Sequence, residues 1–121
     1  MEFQRARTEE QINQRQKEII NACDELYGES NFNSVTIKDI SELTSFTRSS
    51  IYNYYKTKEE IFLDLMQREY MDWYEEAKVK FDSSSSMTKD EFCHFLTKSL
   101  VKREKMLRLL SIHLTDIENN C

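Results

Sequence analysis

The sequence is poor in the residues that make tight turns, since its 121 residues include one glycine and no proline. Hairpin turns and phosphate-binding loops depend on glycine, so this shortage weighs against an all-β fold and against a nucleotide-binding loop. The longest apolar run, Ile61-Phe62-Leu63, is far too short to cross a membrane. Residues 1–8 carry no apolar signal-peptide core, and we expect a cytoplasmic protein.

Cysteine and histidine are also scarce. Cys23, Cys93 and Cys121 are widely spaced without a Cys-x-x-Cys motif, and there are only two histidines. This pattern favours reduced thiols over a disulfide framework or a zinc site, and we expect neither a metal nor a cofactor. No nucleophile is paired with a base, and the acidic pairs fit solvated helix surfaces better than a catalytic cleft. We therefore expect that the protein is not an enzyme.

The residues that are present favour one helical fold. Hydrophobic residues make up 39% of the chain, which is enough to form a core in a chain of single-domain size. Apolar residues recur at three- and four-residue steps, which predicts an all-α fold. The predicted helices are six, over about residues 8–29, 36–43, 47–55, 57–82, from 88 to a polar joint at 102–105, and 106–118.

Local signals mark where these helices begin and end. Four threonines that favour the N-cap position precede predicted helices, at Thr36, Thr47, Thr57 and Thr88. Gly28 and Asn31 are suited to end the first helix, because both tolerate left-handed backbone angles. The second and third helices are short and are joined by the turn Thr44-Ser45-Phe46, which is typical of a helix-turn-helix.

Charge is distributed unevenly along the chain. The net charge is −5, which by itself opposes binding to nucleic acid. However, residues 44–58 contain no acidic side chain, and Arg48, Lys56 and Lys58 give this segment a local charge of +3. Arg5 and Arg7 add further positive charge near the N-terminus. A weakly basic segment therefore lies within an acidic protein.

A more specific pattern lies within residues 17–65. Its parts are Thr36-Ile37-x-x-Ile40, then Thr47-Arg48-x-x-Ile51-Tyr52-x-Tyr54-Tyr55, then Lys58-Glu59. Each part alone is a weak signal, but together they resemble the N-terminal DNA-binding domain of TetR-type transcriptional regulators. The resemblance implies a three-helix DNA-binding head with a helix-turn-helix, followed by a helical regulatory domain. It also implies repression of nearby genes that a small-molecule effector relieves.

The third predicted helix is the candidate recognition helix. Its outward face would carry Arg48, Ser49, Tyr52 and Asn53, and a helix of this width fits the major groove of DNA. Arg48 suits guanine, Asn53 suits adenine, and Tyr52 suits a thymine methyl group or a phosphate. The resemblance further implies contacts that position the DNA backbone, from Thr36, Thr47, Tyr54 and Lys58.

Apolar side chains of the head are expected to lock the two short helices together. We expect Tyr55 to belong to this core rather than to the DNA-facing surface. The expected inner face consists of Ile37, Ile40, Leu43, Phe46, Ile51 and Tyr55, packed against Ile20, Cys23 and Phe62. The family usually has a small residue or glycine where this chain has Asn31, Ser45 and Ser49, and we expect a positive φ to be acceptable at Asn31.

The resemblance divides the chain into a DNA-binding domain, residues 1–56, and a regulatory domain, residues 57–121, which we expect to be incomplete after six helices. Its implied partners are a palindromic double-stranded operator, a second copy of the protein in its complete form and an unknown effector, with no membrane. An apolar stripe at helical spacing fits a core, and its functional alternative is an effector pocket. The candidate pocket residues are Met66, Tyr70, Trp73 and His113.

A second class of function stays open at this point. The helix-turn-helix could be structural only, and the apolar faces of the last two helices, which include Phe92, Phe95, Leu107 and Leu110, could recruit another protein. The chain would then be a helical protein-interaction module without specific DNA binding. Salt-dependent binding to duplex DNA distinguishes the two hypotheses.

Overall fold

A computed structural model describes residues 2–83, 86–111 and 114–120. The described residues form seven α-helices and one 3₁₀ turn, Phe32–Ser34, and contain no strand, which confirms the all-α prediction. The helices are α1 Glu2–Glu29, α2 Ile37–Leu43, α3 Arg48–Tyr52, α4 Lys58–Ser83, α5 Lys89–Val101, α6 Glu104–Ser111 and α7 Leu114–Asn119. The last predicted helix, 106–118, corresponds to α6 and α7, and residues 112–113 between them lie outside the described part.

The predicted N-caps are confirmed. Each of the four threonine hydroxyls accepts a hydrogen bond from the N–H group three residues later, which satisfies one of the open donors at a helix start. The pairs are Thr36 with Asp39 at 3.1 Å, Thr47 with Ser50 at 3.2 Å, Thr57 with Glu60 at 3.3 Å and Thr88 with Glu91 at 3.1 Å.

The predicted way in which α1 ends, by a left-handed residue at Gly28 or Asn31, is wrong. Gly28 lies inside α1, and Asn31 has φ −122° and ψ 170°, which is extended backbone. No described residue has a positive φ. Asn31 instead caps the 3₁₀ turn, because its Oδ1 accepts hydrogen bonds from both the N–H and the hydroxyl of Ser34, each 3.0 Å long. Asn31 therefore acts as a cap through its side chain, and it does not adopt a left-handed backbone conformation.

The turn between α2 and α3 is fixed to α1. Glu18 Oε1 accepts hydrogen bonds from the backbone N–H and from the hydroxyl of Ser45, both 3.2 Å long. Since the turn uses no positive φ, serine fits where the family usually has glycine. The Glu18 carboxylate of α1 therefore holds the turn that leads into α3.

The chain forms two units, one of residues 1–65 with 116–121 and the other of residues 66–115. In the first unit the side chains of Ile19, Cys23, Ile40, Ile51 and Phe62 are fully buried. Phe62 lies at the centre of an aromatic cluster, with Tyr27 at 5.4 Å and Phe32 at 4.7 Å between ring centroids, both edge-on. The domain boundary between residues 56 and 57 stays a prediction.

The predicted inner face of the head is correct for most of its members. Ile40, Ile51 and Tyr55 are buried, and Ile20, Ile37 and Phe46 are half-buried. Leu43 is wrongly placed in this set, because 47% of its surface is exposed. Leu43 is the last residue of α2 and lies on the flank of Ile40 opposite Ile37.

The second unit is held by polar contacts as well as by aromatic packing. Trp73 Nε1 donates to the hydroxyl of buried Ser99 at 3.0 Å, which joins α4 to α5. Glu76 accepts hydrogen bonds from Arg103 at 2.8 Å and from Lys102 at 3.1 Å. These two bonds, that of Arg103 first, hold the pKa of Glu76 below its usual value.

The buried face of the last predicted helix differs from the face that the sequence predicted. Met106 and Leu109 are buried, whereas Leu107 is 38% exposed and Leu110 is half-buried. Ile117 is fully buried. The side chains of Ile112, His113 and Leu114 lie outside the described part of the chain, as do those of Arg5 and Arg7 and residue Cys121.

Three further findings bear on the sequence predictions. Cys23 is buried and Cys93 is exposed, and neither forms a disulfide within the described ranges. Within the described ranges, no cluster of three or more His, Cys, Asp or Glu side chains is placed to hold a metal ion. None of the helices in those ranges combines the length and apolar character that a membrane crossing requires.

Candidate nucleic-acid interface

A basic groove lies on the surface of the first unit where the starts of α2 and α4 meet α3. Its volume is about 410 Å³. Four basic side chains and one carboxylate are among the described residues that line it. The lining consists of Val35, Thr36, Ile37, Lys38, Arg48, Tyr52, Lys56, Thr57, Lys58 and Glu59.

The residues predicted to read bases lie on and just after α3. Arg48, Ser49 and Tyr52 are exposed, and their spacing places them on one side of the helix. Tyr52 retains 49% of its surface although it is a large aromatic residue. Asn53 is exposed at the C-cap, where its N–H bonds to the carbonyl of Ser50. Arg48 and Tyr52 line the basic groove, and Ser49 and Asn53 do not.

The two predicted threonine contacts are exposed helix caps. Thr36 lies at the start of α2 and lines the groove, and Thr47 lies at the start of α3. Thr47 also donates from its hydroxyl to that of Ser50 at 3.2 Å. Their cap bonds fix both hydroxyls against the backbone, and both side chains remain exposed.

Tyr54 and Lys58 are the other two residues predicted to contact the DNA backbone. Both are half-buried and form hydrogen bonds within the head. The Tyr54 hydroxyl accepts a hydrogen bond from Arg15 Nη1 at 2.9 Å, which connects the segment after α3 to α1. The Lys58 ammonium donates to the carbonyl of Phe32 at 2.8 Å and to that of Val35 at 3.0 Å. Both side chains therefore help to hold the head together.

Tyr55 is buried, as predicted, and its polar end is satisfied. Its hydroxyl donates to Asp64 Oδ2 at 2.6 Å. Burial, reinforced by this bond and by the nearby carboxylate charge, raises the pKa of Tyr55 well above its usual range. The bond ties the chain after α3 to the second turn of α4, and it thereby fixes α3 from its C-terminal side.

Sequence reasoning missed two groove residues as candidate contacts. Lys38 on α2 and Lys56 before α4 are both exposed and both line the groove with Arg48. A signal was available, because Lys38 follows the cap of a short helix whose buried position is Ile40. Since residues two apart on a helix lie on different faces, Lys38 had to point away from the core.

The segment that builds this interface matches a known family. Residues 19–65 match the family model of bacterial regulatory proteins of the TetR family. This segment is therefore similar to the N-terminal domain of that family. The match supports a helix-turn-helix of the kind found in DNA-binding transcription regulators. A comparison with curated proteins gives no significant match.

The predicted effector-pocket residues lie mainly along α4. Met66 is buried, Tyr70 is 45% exposed, and Trp73 is half-buried with its ring 6.0 Å from that of Tyr70. His113 lies outside the described residues. The second unit also has an open groove of about 370 Å³ between α4 and α5. Its lining is Glu76, Lys80, Met87, Glu91, His94, Phe95, Lys98, Ser99 and Lys102.

Proposed function

We propose that the chain is a sequence-specific repressor that reads double-stranded DNA through α3. The observation that carries this proposal is the basic groove, in which Arg48 and Tyr52 are exposed beside Lys38 and Lys56. Arg48 presents a guanidinium that suits the O6 and N7 acceptors of guanine, and Tyr52 presents an apolar ring edge with a hydroxyl. The Asn53 side-chain amide suits hydrogen bonds to the N6 and N7 atoms of adenine.

Phosphate contacts would hold α3 in register. Thr36 and Thr47 stand at the edges of the helix-turn-helix with exposed hydroxyls, and Lys38 and Lys56 add two cations to the same surface. Such contacts position a protein on the duplex and carry no sequence information. The negative net charge of the chain does not oppose this arrangement, because residues 44–58 carry no acidic side chain and four basic side chains line the groove.

We further propose that a small-molecule effector and a second copy of the chain regulate this binding. The candidate effector residues of α4 include Trp73, which is the single tryptophan of the chain. A palindromic operator requires two recognition helices about 34–36 Å apart, which a symmetric dimer supplies. Exposed aromatic side chains of the second unit, such as Tyr70, Tyr74 and Phe92, support a dimer contact there.

Selection of binding sites from random duplex DNA tests the DNA-reading proposal. We expect the wild-type chain to enrich a defined motif, and we expect Arg48→Ala to lose preference at one position of it at a cost of about 1–3 kcal/mol. Lys78→Ala is the matched control, because Lys78 is exposed on α4 outside the groove. Recovery of no motif with the wild-type chain would favour the protein-interaction module instead.

Trp73 fluorescence tests the effector proposal. The indole N–H bonds to Ser99 across the contact between α4 and α5, so a ligand that enters this region changes the emission of the single tryptophan. We expect an effector found in a small-molecule screen to change this emission saturably and to weaken DNA binding in the same concentration range. A compound that releases DNA without a change in emission would place the effector site elsewhere.

A further inference from the structure

Lys58 is the least accessible cation of the basic groove. Its ammonium lies 2.8 Å from the carbonyl oxygen of Phe32 and 3.0 Å from that of Val35, and 4.5 Å from the centre of the Phe32 ring. Two of its three N–H groups are therefore used by backbone acceptors, and the charge faces an aromatic ring. Hydrogen bonds from a charged donor are the stronger ones in proteins.

These contacts connect three parts of the head. Phe32 opens the 3₁₀ turn, and Val35 directly precedes Thr36, the N-cap of α2. Phe32 packs edge-on against Phe62, which lies one turn after Lys58 on α4. The lysine thus ties the backbone that leads into α2 to the start of α4, and it sets the separation of two walls of the groove.

Lys38 and Lys56 differ from Lys58 in this respect. Both are exposed, and neither ammonium is engaged by a hydrogen bond or ion pair with any residue that the structure describes. The Lys56 backbone N–H is held by Glu60 Oε2 at 2.6 Å, so the chain at Lys56 is fixed while its side chain is accessible. These two lysines can meet phosphates without first losing an internal contact.

We propose that Lys58 is a positioning residue that shapes the groove from inside, and that Lys38 and Lys56 supply the cations that contact phosphate. This inference replaces the sequence expectation that Lys58 itself contacts the DNA backbone. It rests on the proposed DNA-binding function only for the assignment of Lys38 and Lys56. The positioning role of Lys58 concerns the free protein.

Amide hydrogen exchange without DNA tests the role of Lys58. In Lys58→Met the stem remains but the ammonium is removed, so the start of α2 loses its tie to α4. We expect the N–H groups of Ser34 and Ile40 to exchange at least about tenfold faster, relative to the amides of α4. Lys56→Met is the control and leaves these rates unchanged. Equal rates in Lys58→Met and the wild type would overturn the positioning role.

The salt dependence of binding to a mixed-sequence duplex of about 30 base pairs tests the phosphate contacts. Each lost phosphate contact reduces the slope of log K against log salt by about 0.9. We expect this reduction for Lys38→Ala and for Lys56→Ala, and an unchanged slope for Lys58→Met. A reduction of about 0.9 in Lys58→Met, with none in the other two, would reverse the assignment.

The wild-type chain supplies a third measurement that does not depend on the fold of a variant. We expect the ¹⁵N resonances of the Lys38 and Lys56 ammonium groups to shift when the duplex is added and that of Lys58 to stay in place. A shift of the Lys58 resonance alone would contradict the inference. Failure of the wild type to bind any duplex would refute the DNA-binding proposal, while the exchange experiment still decides the role of Lys58.

Discussion

The hydrogen bond between Tyr55 and Asp64 shows how a single side chain fixes α3, the candidate recognition helix. It is 2.6 Å long, and Tyr55 is 4% exposed. The backbone N–H of Tyr55 also bonds to the carbonyl of Ile51 on α3 at 2.9 Å. Tyr55 therefore links α3 to α4 through both its backbone and its side chain, and its raised pKa makes this link sensitive to alkaline pH.

We expect Tyr55 to make the head less stable in alkali. The unfolded chain loses this proton near pH 10, whereas the folded chain keeps it to higher pH. Stability therefore declines above pH 10 by about 1.4 kcal/mol per pH unit for this group. Tyr55→Phe should cost about 1 kcal/mol near pH 8, because Asp64 loses a donor, and should flatten the alkaline decline.

Urea unfolding at several pH values measures both effects. Tyr52→Phe is the matched control, because Tyr52 is an exposed tyrosine on α3. We expect this control to follow the wild type at every pH. An alkaline decline in Tyr55→Phe as steep as that of the wild type would remove Tyr55 from the titration.

At the same scale, the sequence predicts contacts that are local and misses those that are not. The threonine caps were predictable because a hydroxyl meets an N–H only three residues away. The bond from Lys58 to Phe32 spans 26 residues, and that from Ser45 to Glu18 spans 27. No spacing rule reaches that far, so the internal role of Lys58 became visible only once the helices were in place.

At the scale of elements, the two short helices depend on one buried isoleucine each. Ile40 and Ile51 are completely buried, and α2 and α3 have only seven and five residues. Helices this short are unstable alone and depend on tertiary packing. We expect Ile40→Ala and Ile51→Ala each to lower the free energy of unfolding by about 2–5 kcal/mol.

Leu43→Ala is the control for these two variants. Leu43 belongs to the same helix as Ile40, but nearly half of its surface is exposed. We expect a loss below about 1 kcal/mol for Leu43→Ala in thermal or urea unfolding. A loss for Leu43→Ala as large as that for Ile40→Ala would mean that the core of the head is assigned incorrectly.

The error at Leu43 follows from helix geometry. Successive positions three residues apart move about 60° around the helix, so Ile37 and Leu43 lie on opposite flanks of Ile40. Periodicity shows that all three share a broad face, but it does not show which flank meets a neighbour. The same ambiguity explains the error in α6, where the sequence predicted a buried Leu107 and the structure buries Met106 instead.

At the scale of the whole molecule, the second unit exposes aromatic surface. Phe81 and Phe92 stack at 5.7 Å between centroids, yet they remain 39% and 42% exposed. Exposed aromatic surface of this kind marks protein contacts. We expect sedimentation to show reversible dimerisation that Phe92→Ser weakens and Thr97→Ala, on the same helix, does not. A chain that stays monomeric at high micromolar concentration would contradict the proposed dimer contact.

The most direct test of base reading by α3 is a double-mutant cycle between protein and DNA. It uses the selected duplex, the same duplex with 7-deazaguanine at the position that depends on Arg48, the wild-type chain and Arg48→Ala. Because 7-deazaguanine lacks only the N7 acceptor, we expect the two changes to be coupled by about 1–3 kcal/mol. Fully additive losses of affinity at every guanine of the motif would show that Arg48 does not read a guanine N7 in the major groove.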